Sequence, residues 1–208
     1  MLPGPTIIKR CSFCSKSIEH YTVASGNTFG ATFWTDGKRE APMLPDQPLL
    51  LLCPHCNAAL WIDELEELGE FEYSENRPNK FNDAIPCKTP SINNYVTLLE
   101  RGVGSREKER YLRLQLWWAD NGLRRTSATE VPISVREASN MKALAEMLDE
   151  KNADDLVMKA EVMRELGCYD DAKVLLEKSV DNSMRDVVEF LKVLCERGDR
   201  YVREIRLK

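Results

Sequence analysis

Seven cysteines, against only two histidines, carry most of the reactive chemistry in this chain of 208 residues. Four of them form two Cys-x-x-Cys pairs. Cys11 and Cys14 lie in "KRCSFCSKSI", Cys53 and Cys56 in "LLLLCPHCNA", and 38 residues separate the pairs. Cys87, Cys168 and Cys195 stand singly. Two thiols at i and i+3 chelate one ion when the backbone between them folds into a tight knuckle. Two facing knuckles supply four thiolates in a tetrahedron, which suits zinc; iron accepts the same ligand set and is the alternative occupant. A closed four-thiolate shell leaves no position for water, so one structural zinc is expected, with no nucleophile activated by it.

The compartment bears on this chemistry. Met1-Leu2-Pro3-Gly4-Pro5 has no basic stretch leading into an apolar core, so no signal peptide is expected. The longest apolar run, Leu49 to Cys53, is far short of the roughly 18 residues of a membrane helix. In the reducing cytoplasmic setting this implies, an odd cysteine count reads better as metal binding than as a disulfide framework. A thioredoxin-type redox pair would need its Cys-x-x-Cys after a strand in a βαβ setting, and only ten residues precede Cys11.

Within each knuckle, amide hydrogens are expected to point at the sulfurs and offset their charge. The residue after the second cysteine takes a left-handed backbone, best in Gly and next in Asn. Asn57 fits this, and Ser15 fits less well. On these residues the N-terminal region resembles the zinc-ribbon family, and "CPHC" resembles the second knuckle of rubredoxin-like sites. The resemblance covers residues 9–62 and implies a small β-sheet clamped by zinc at Cys11, Cys14, Cys53 and Cys56. The spacing between pairs exceeds the usual fifteen to twenty or so; a strand hairpin and a Pro-rich loop would fill it. His20, His55 and Cys87 are open as further ligands, with half-buried histidines and a free thiol as the simpler expectation. Cys168 and Cys195 read as small apolar packing residues.

The elements that would hold these residues divide the chain. "IEHYTVAS" and "TFGATFWT" read as strands, with turns at Gly26-Asn27 and Asp36-Gly37. "APMLPDQP" is irregular, and Leu49 to Leu52 reads as a strand entering the second pair. "NAALWIDELEELG" fits either a strand turning into a helix or one helix capped by Asn57 and stopped at Gly69. Residues 70–90, acidic and then rich in Asn and Pro, read as a linker, and the acidic run 63–75 as a solvated face. The expected organisation is α+β: a β-rich zinc-ribbon domain over 1–69, the linker over 70–90, and an all-α domain of helical hairpins over 91–208. Helices are expected near 91–101, 105–120, 135–149, 154–166, 170–181 and 184–197, and the tail "RYVREIRLK" as a short strand.

"AEVMRELGCYDDAKVLLEKS" (160–179) resembles one tetratricopeptide repeat (TPR). Ala160 and Ala172 are its small residues, Gly167 its turn glycine, Tyr169 its aromatic and Leu176 its large apolar residue. Ser179 stands where the family prefers Ala, and Met184 where it often has Pro. A lone repeat leaves an apolar face for neighbouring helices to cover, and such arrays bind another protein or peptide. A plain helical hairpin is the competing reading. In "ERYLRLQLWWADNGLRR" (109–125), apolar residues occupy much of the helix circumference, which predicts packing on two sides. Trp117, Trp118, Arg124 and Arg125 have the composition of a binding hot spot, against core packing as the plainer role.

Three function classes follow. The first is a non-enzymatic adaptor with a structural zinc site and a helical domain that binds a protein or peptide. The second is a nucleic-acid-associated zinc-ribbon protein. It draws weak support from residues 1–60, where five bases (Lys9, Arg10, Lys16, Lys38, Arg39) meet four acids (Glu19, Asp36, Glu40, Asp46), near Phe13, Phe33 and Trp34. The net charge of −5 argues against general phosphate binding. The third is a thiol redox protein. No Gly-rich phosphate loop, His-based metal motif or nucleophile elbow is present in the sequence. The adaptor is the preferred reading.

Overall fold

The computed structural model describes residues 1–127, 131–178 and 182–206. Strands come first: β1 (Leu2–Arg10), β2 (Ser17–Ser25), β3 (Thr32–Phe33), β4 (Arg39–Glu40), β5 (Leu50–Leu52), β6 (Ala59–Trp61), β7 (Glu67–Phe71) and β8 (Ile85–Pro86). Among the described residues six α-helices follow: α1 (Ile92–Arg101), α2 (Arg106–Thr126), α3 (Val135–Ala145), α4 (Ala153–Glu165), α5 (Tyr169–Glu177) and α6 (Arg185–Glu196). The chain is thus mixed α+β. Its contacts form two units, one of Met1–Ala31 with Glu40–Asn94, the other of Thr32–Arg39 with the chain from Tyr95 onward. Among the described residues no helix is long and apolar enough to cross a membrane.

The first unit is built on a sheet of order β7-β1-β2-β8, with β1 antiparallel to both neighbours and β8 parallel to β2. Strand β1 has no counterpart among the expected elements, because Pro3, Gly4 and Pro5 argue against a strand. The structure tolerates them because β7 pairs only with Thr6–Lys9, so the prolines face a ladder on one side only. The register against β2 also slips at Leu2/Pro3 and Pro3/Thr6, where a missing N–H costs least. Beyond that point period-2 alternation buries Thr6 and Ile8. β5 and β6 form a separate two-stranded hairpin.

Two expectations fail here. "NAALWIDELEELG" contains no α-helix: β6 runs into a single 3-10 turn, Ile62–Glu64, and then β7, because Leu60 and Ile62 both bury beside the cysteines. Residues 70–90 are not a free linker either. Phe81 and Ala84 bury against Ile8, with Leu68 and Phe71 packed around them. Gly69 makes that possible, since a Cβ there would stand 3.0 Å from Phe81 Cζ. The acidic run itself is solvated: Asp63, Glu64, Glu66, Glu67, Glu70, Glu72 and Glu75 are all exposed.

In the second unit α2, α3 and α4 enclose Trp117, Met141, Leu144 and Val162, while α4, α5 and α6 enclose Leu156, Ala160, Ala172, Leu176 and Leu191. Helix α4 serves both cores, so it is buried on several sides. The hairpin α4–α5 has Ala160 and Ala172 at its contact, fully buried. It turns at Gly167, φ +84°, where Gly167 N–H reaches Arg164 O and Cys168 N–H reaches Met163 O. That is a Schellman ending, for which glycine alone carries no Cβ penalty. Tyr169 donates its hydroxyl to Gly198 O at 2.6 Å and so ties the start of α5 to the end of α6. The expected continuation of the hairpin through Ser179 to 181 lies outside the described residues.

Residues 32–39, expected within the N-terminal domain, pack in this second unit. They form a hairpin closed by Trp34 N–H to Lys38 O, with Gly37 at φ +76°. The tail pairs along it: Ile205 N–H donates to Phe33 O and Thr35 N–H to Arg203 O.

Candidate metal centre

Each Cys-x-x-Cys is the turn of a β-hairpin, and the two turns have the same construction. In the first, Cys11 N–H donates to Lys16 O, Ser15 N–H donates to Cys11 O, and Arg10 pairs with Ser17. In the second, Cys53 N–H donates to Ala58 O, Asn57 N–H donates to Cys53 O, and Leu52 pairs with Ala59. Ser15 at φ 59° and Asn57 at φ 58° take the left-handed backbone that lets each chain reverse over its sulfurs. Amides of Phe13 and Cys14 reach the Cys11 sulfur, that of Lys16 reaches Cys14, and those of His55 and Cys56 reach Cys53. Beneath the knuckles, Ile18, Leu51, Leu60 and Ile62 form an apolar floor.

The four sulfurs converge. Cys11 Sγ is 3.8 Å from Cys56 Sγ, Cys14 Sγ is 3.7 Å from Cys53 Sγ, and all four lie within 4.8 Å of one another. A tetrahedral ion with metal–sulfur bonds of about 2.3 Å spaces its ligands by about 3.8 Å, so the donor set fits such an ion. The proton balance supports the same conclusion. Burial opposes ionisation of Cys11, yet the amides of Cys14 and Phe13 bring its thiol down to about 7. Burial pushes Cys53 up to about 12. Cys14 is raised too, the Lys16 amide notwithstanding, by partial burial and by the neighbouring Cys11 and Cys56. Sulfurs this close do not all ionise unaided, and a cation among them is what makes four thiolates stable.

Three sequence candidates stand outside the tetrad. His55 Nε2 hydrogen-bonds Ser17 O at 3.1 Å. His20 is half-buried, its pKa lowered by burial and then by Lys9, and its ring nitrogens meet no partner among the described residues. Cys87 packs against the apolar floor, where burial raises its thiol to about 11. Cys195 is buried between helices, and Cys168 is exposed at the head of α5.

The four helical candidates make contacts within their own unit. Trp117 is buried and donates Nε1–H to Glu165 Oε2 at 3.0 Å. Trp118 donates to Asp36 O at 2.9 Å. Arg124 pairs with Glu137 at 3.1 Å and also donates to Val131 O and Pro132 O. Arg125 pairs with Asp36, and both side chains are all but fully buried. These contacts belong to a network that sequence reading missed. Asn121 Nδ2 bridges Asp36 Oδ2 and Glu165 Oε1, each at 3.0 Å. Arg164 grips Glu161 through two nitrogens and also reaches Tyr201 O. Its sequence signals are faint: two polar residues, Asp120 and Asn121, directly after the paired tryptophans, and an Asp at a turn.

No protein-family model, no curated protein and no solved structure matches the chain. What defines its class is therefore the site itself: a four-cysteine cluster with metal-binding geometry, carried on paired hairpins in an α+β chain.

Proposed function

We propose that this chain is a non-enzymatic protein-interaction adaptor, in which a structural zinc fixes the first unit and a TPR-like helical unit binds another protein or peptide. The observation that carries the reading is the tetrad of Cys11, Cys14, Cys53 and Cys56. Four protein donors complete a tetrahedral shell, so an ion there serves folding rather than substrate activation. The zinc-ribbon reading draws support from the matched knuckles, and zinc is preferred to iron as the usual occupant of structural four-thiolate sites. The TPR-like reading draws support from Ala160 against Ala172, the Gly167 turn and the stacking of α6 on α5. Trp117, Trp118, Arg124 and Arg125 then act by shaping α2, and the partner meets the helical surface around them. A reducing, cytoplasmic setting belongs to the same proposal, because free thiols persist there.

Elemental analysis of protein purified without added metal, alongside a thiol count, tests the carrying observation. One zinc per chain and three reactive thiols are expected, the number left when four of the seven cysteines are ligands. One iron in its place would correct the metal. A metal-free protein whose paired cysteines cycle between thiol and disulfide would overturn the reading and favour redox chemistry.

A further inference from the structure

The helical unit contains a cavity of about 350 Å3 that neither the thiol tetrad nor the buried ion pairs use. Its lining is mostly apolar and includes Phe33 and Trp34 of the hairpin at residues 32–39, Met158 of α4, Met184 and Val187 at the head of α6, and Ile205 of the tail. The hairpin backbone beside it is already paired. Trp34 N–H donates to Lys38 O, Gly37 N–H donates to Trp34 O, and Phe33 O accepts from Ile205 N–H. Thr35 N–H donates to Arg203 O, and Thr35 Oγ1 accepts from Arg203 N–H. The tail thus occupies the edge at Phe33 and Thr35 that an extended peptide would need for strand addition. Lys38 also lines the cavity, but its ammonium stands 4.8 Å from the centre of the Trp118 ring, and Trp118 is not part of the lining. Asp154, the other charged lining residue, is exposed in the first turn of α4. A ligand carboxylate would therefore leave water for apolar walls.

Such walls complement a neutral, flat aromatic molecule. Phe33 and Trp34 offer stacked or edge-to-face ring contacts, and the thioethers of Met158 and Met184 favour ring edges. An apolar cavity of about 150 Å3 takes one benzene ring, so about 350 Å3 has room for two fused rings. We propose that this cavity binds a neutral bicyclic aromatic molecule of the size of indole or quinoline. The site is distinct from the metal centre, and the proposal stands independently of the adaptor reading.

Isothermal titration calorimetry of the full chain at neutral pH with indole and with quinoline tests it. Saturable binding of at least one of them is expected, half-complete below about 1 mM. Indole-3-carboxylate and quinoline-3-carboxylate add a charge that the apolar walls do not pair, and each should bind at least about tenfold more weakly than its parent ring. Val187→Phe and Ile205→Phe fill the cavity from two different elements, and each should weaken binding about tenfold or more. The comparison of ligands needs no variant, so the test remains decisive should both substitutions disturb the fold. N-acetyl-L-tryptophanamide carries an indole ring flanked by peptide groups. If it binds more tightly than either free ring, the cavity belongs to a peptide side chain and the proposal is overturned. Absence of saturable binding by both indole and quinoline at millimolar concentration also overturns it. So does equal affinity for a ring and its carboxylate, or unchanged affinity in a filled variant that keeps the parent's thermal midpoint.

Discussion

Asp36→Asn is the sharpest perturbation of the helical unit, because it alters a buried charge and almost no volume. The Asp36 and Arg125 side chains are 0% and 5% exposed, so water screens neither. Asp36 Oδ1 accepts from Lys38 N–H, and Oδ2 accepts from both Asn121 and Arg125. An amide has one acceptor where the carboxylate has two. Whichever way it turns, an NH2 faces either the Lys38 amide or the guanidinium. Removing one partner of a buried pair typically costs about 3–5 kcal/mol. Asparagine retains one acceptor, so about 3 kcal/mol is expected, a large share of the roughly 5–15 kcal/mol that holds a domain together. With a urea slope near 2 kcal/mol/M, the unfolding midpoint falls by about 1.5 M. Tryptophan fluorescence reads it well, since Trp34, Trp117 and Trp118 belong to this unit and only Trp61 to the other. Arg125→Met leaves the carboxylate instead. Burial already raises the Asp36 pKa against the opposing pull of Arg125, and without the arginine it rises further. The unfolded carboxyl titrates near 3.9, so the deficit grows as pH climbs from there to the folded pKa and levels off above it. The double variant should lose less than the sum of the single losses. Losses below about 1 kcal/mol in both single variants, the size of an exposed pair, would refute the reasoning, and so would strict additivity.

Glu165→Gln addresses the same network. Burial first, and then Glu161 and Asp36, push the Glu165 pKa well above the ordinary range, so the folded chain holds a proton there that the unfolded chain releases. Stability from this group is complete below about pH 4.3 and declines as pH rises to the folded pKa, by at most about 1.4 kcal/mol per unit. The glutamine variant should lack that decline in chemical-denaturation curves taken across pH, and an identical slope in both proteins would contradict it. Cys53→Ser should abolish metal binding, measured by elemental analysis, and open residues 1–31 and 40–94 to limited proteolysis while residues 32–39 stay protected and helical circular dichroism largely persists. A metal-free variant as protease-resistant as the parent would exclude a structural ion. Ser15→Gly should raise the thermal midpoint, since it removes a left-handed penalty of about 1 kcal/mol, and Ser15→Val should lower it. A fragment of residues 91–208 should fold poorly, because it leaves Arg125, Asn121 and Trp118 without Asp36. A cooperative melt matching that of the full chain would argue against a need for the hairpin.

The features legible in the sequence are those whose causes are local. Cys11 with Cys14 and Cys53 with Cys56 announce themselves because an i, i+3 thiol pair has few uses, and Asn57 marks its own backbone. The six helices were legible from periodicity and stops: α4 ends where Gly167 permits a left-handed turn, and α6 ends the same way at Gly198. The strands of the first unit were harder. β1 contains two prolines that are harmless only because β7 is short, and β8 is two residues whose partner is β2, far back in the chain. Nothing within either segment specifies those neighbours.

The membership of residues 32–39 was the least legible feature, and its cause is chemical. Asp36 and Arg125 are 89 positions apart. Read locally, Asp36-Gly37 is a turn and Arg125 is the basic end of a helix; both readings are true and neither implies a partner. What joins them is the cost of burying each charge alone. Once Trp117, Leu112 and Leu116 draw α2 into the core, Asn121 on the same helix is buried with them, as is Arg125 one turn further on. Those polar groups require acceptors. Asp36 supplies a carboxylate to both Arg125 and Asn121 and a carbonyl to Trp118, so the hairpin is bound to the helices by polar satisfaction as much as by apolar contact. The apolar pattern of α2 thus creates the demand, and a distant turn meets it. For this reason a boundary drawn from composition near residue 90 falls close to the division of the contacts at Asn94 and Tyr95, yet misses that residues 32–39 belong with the helices.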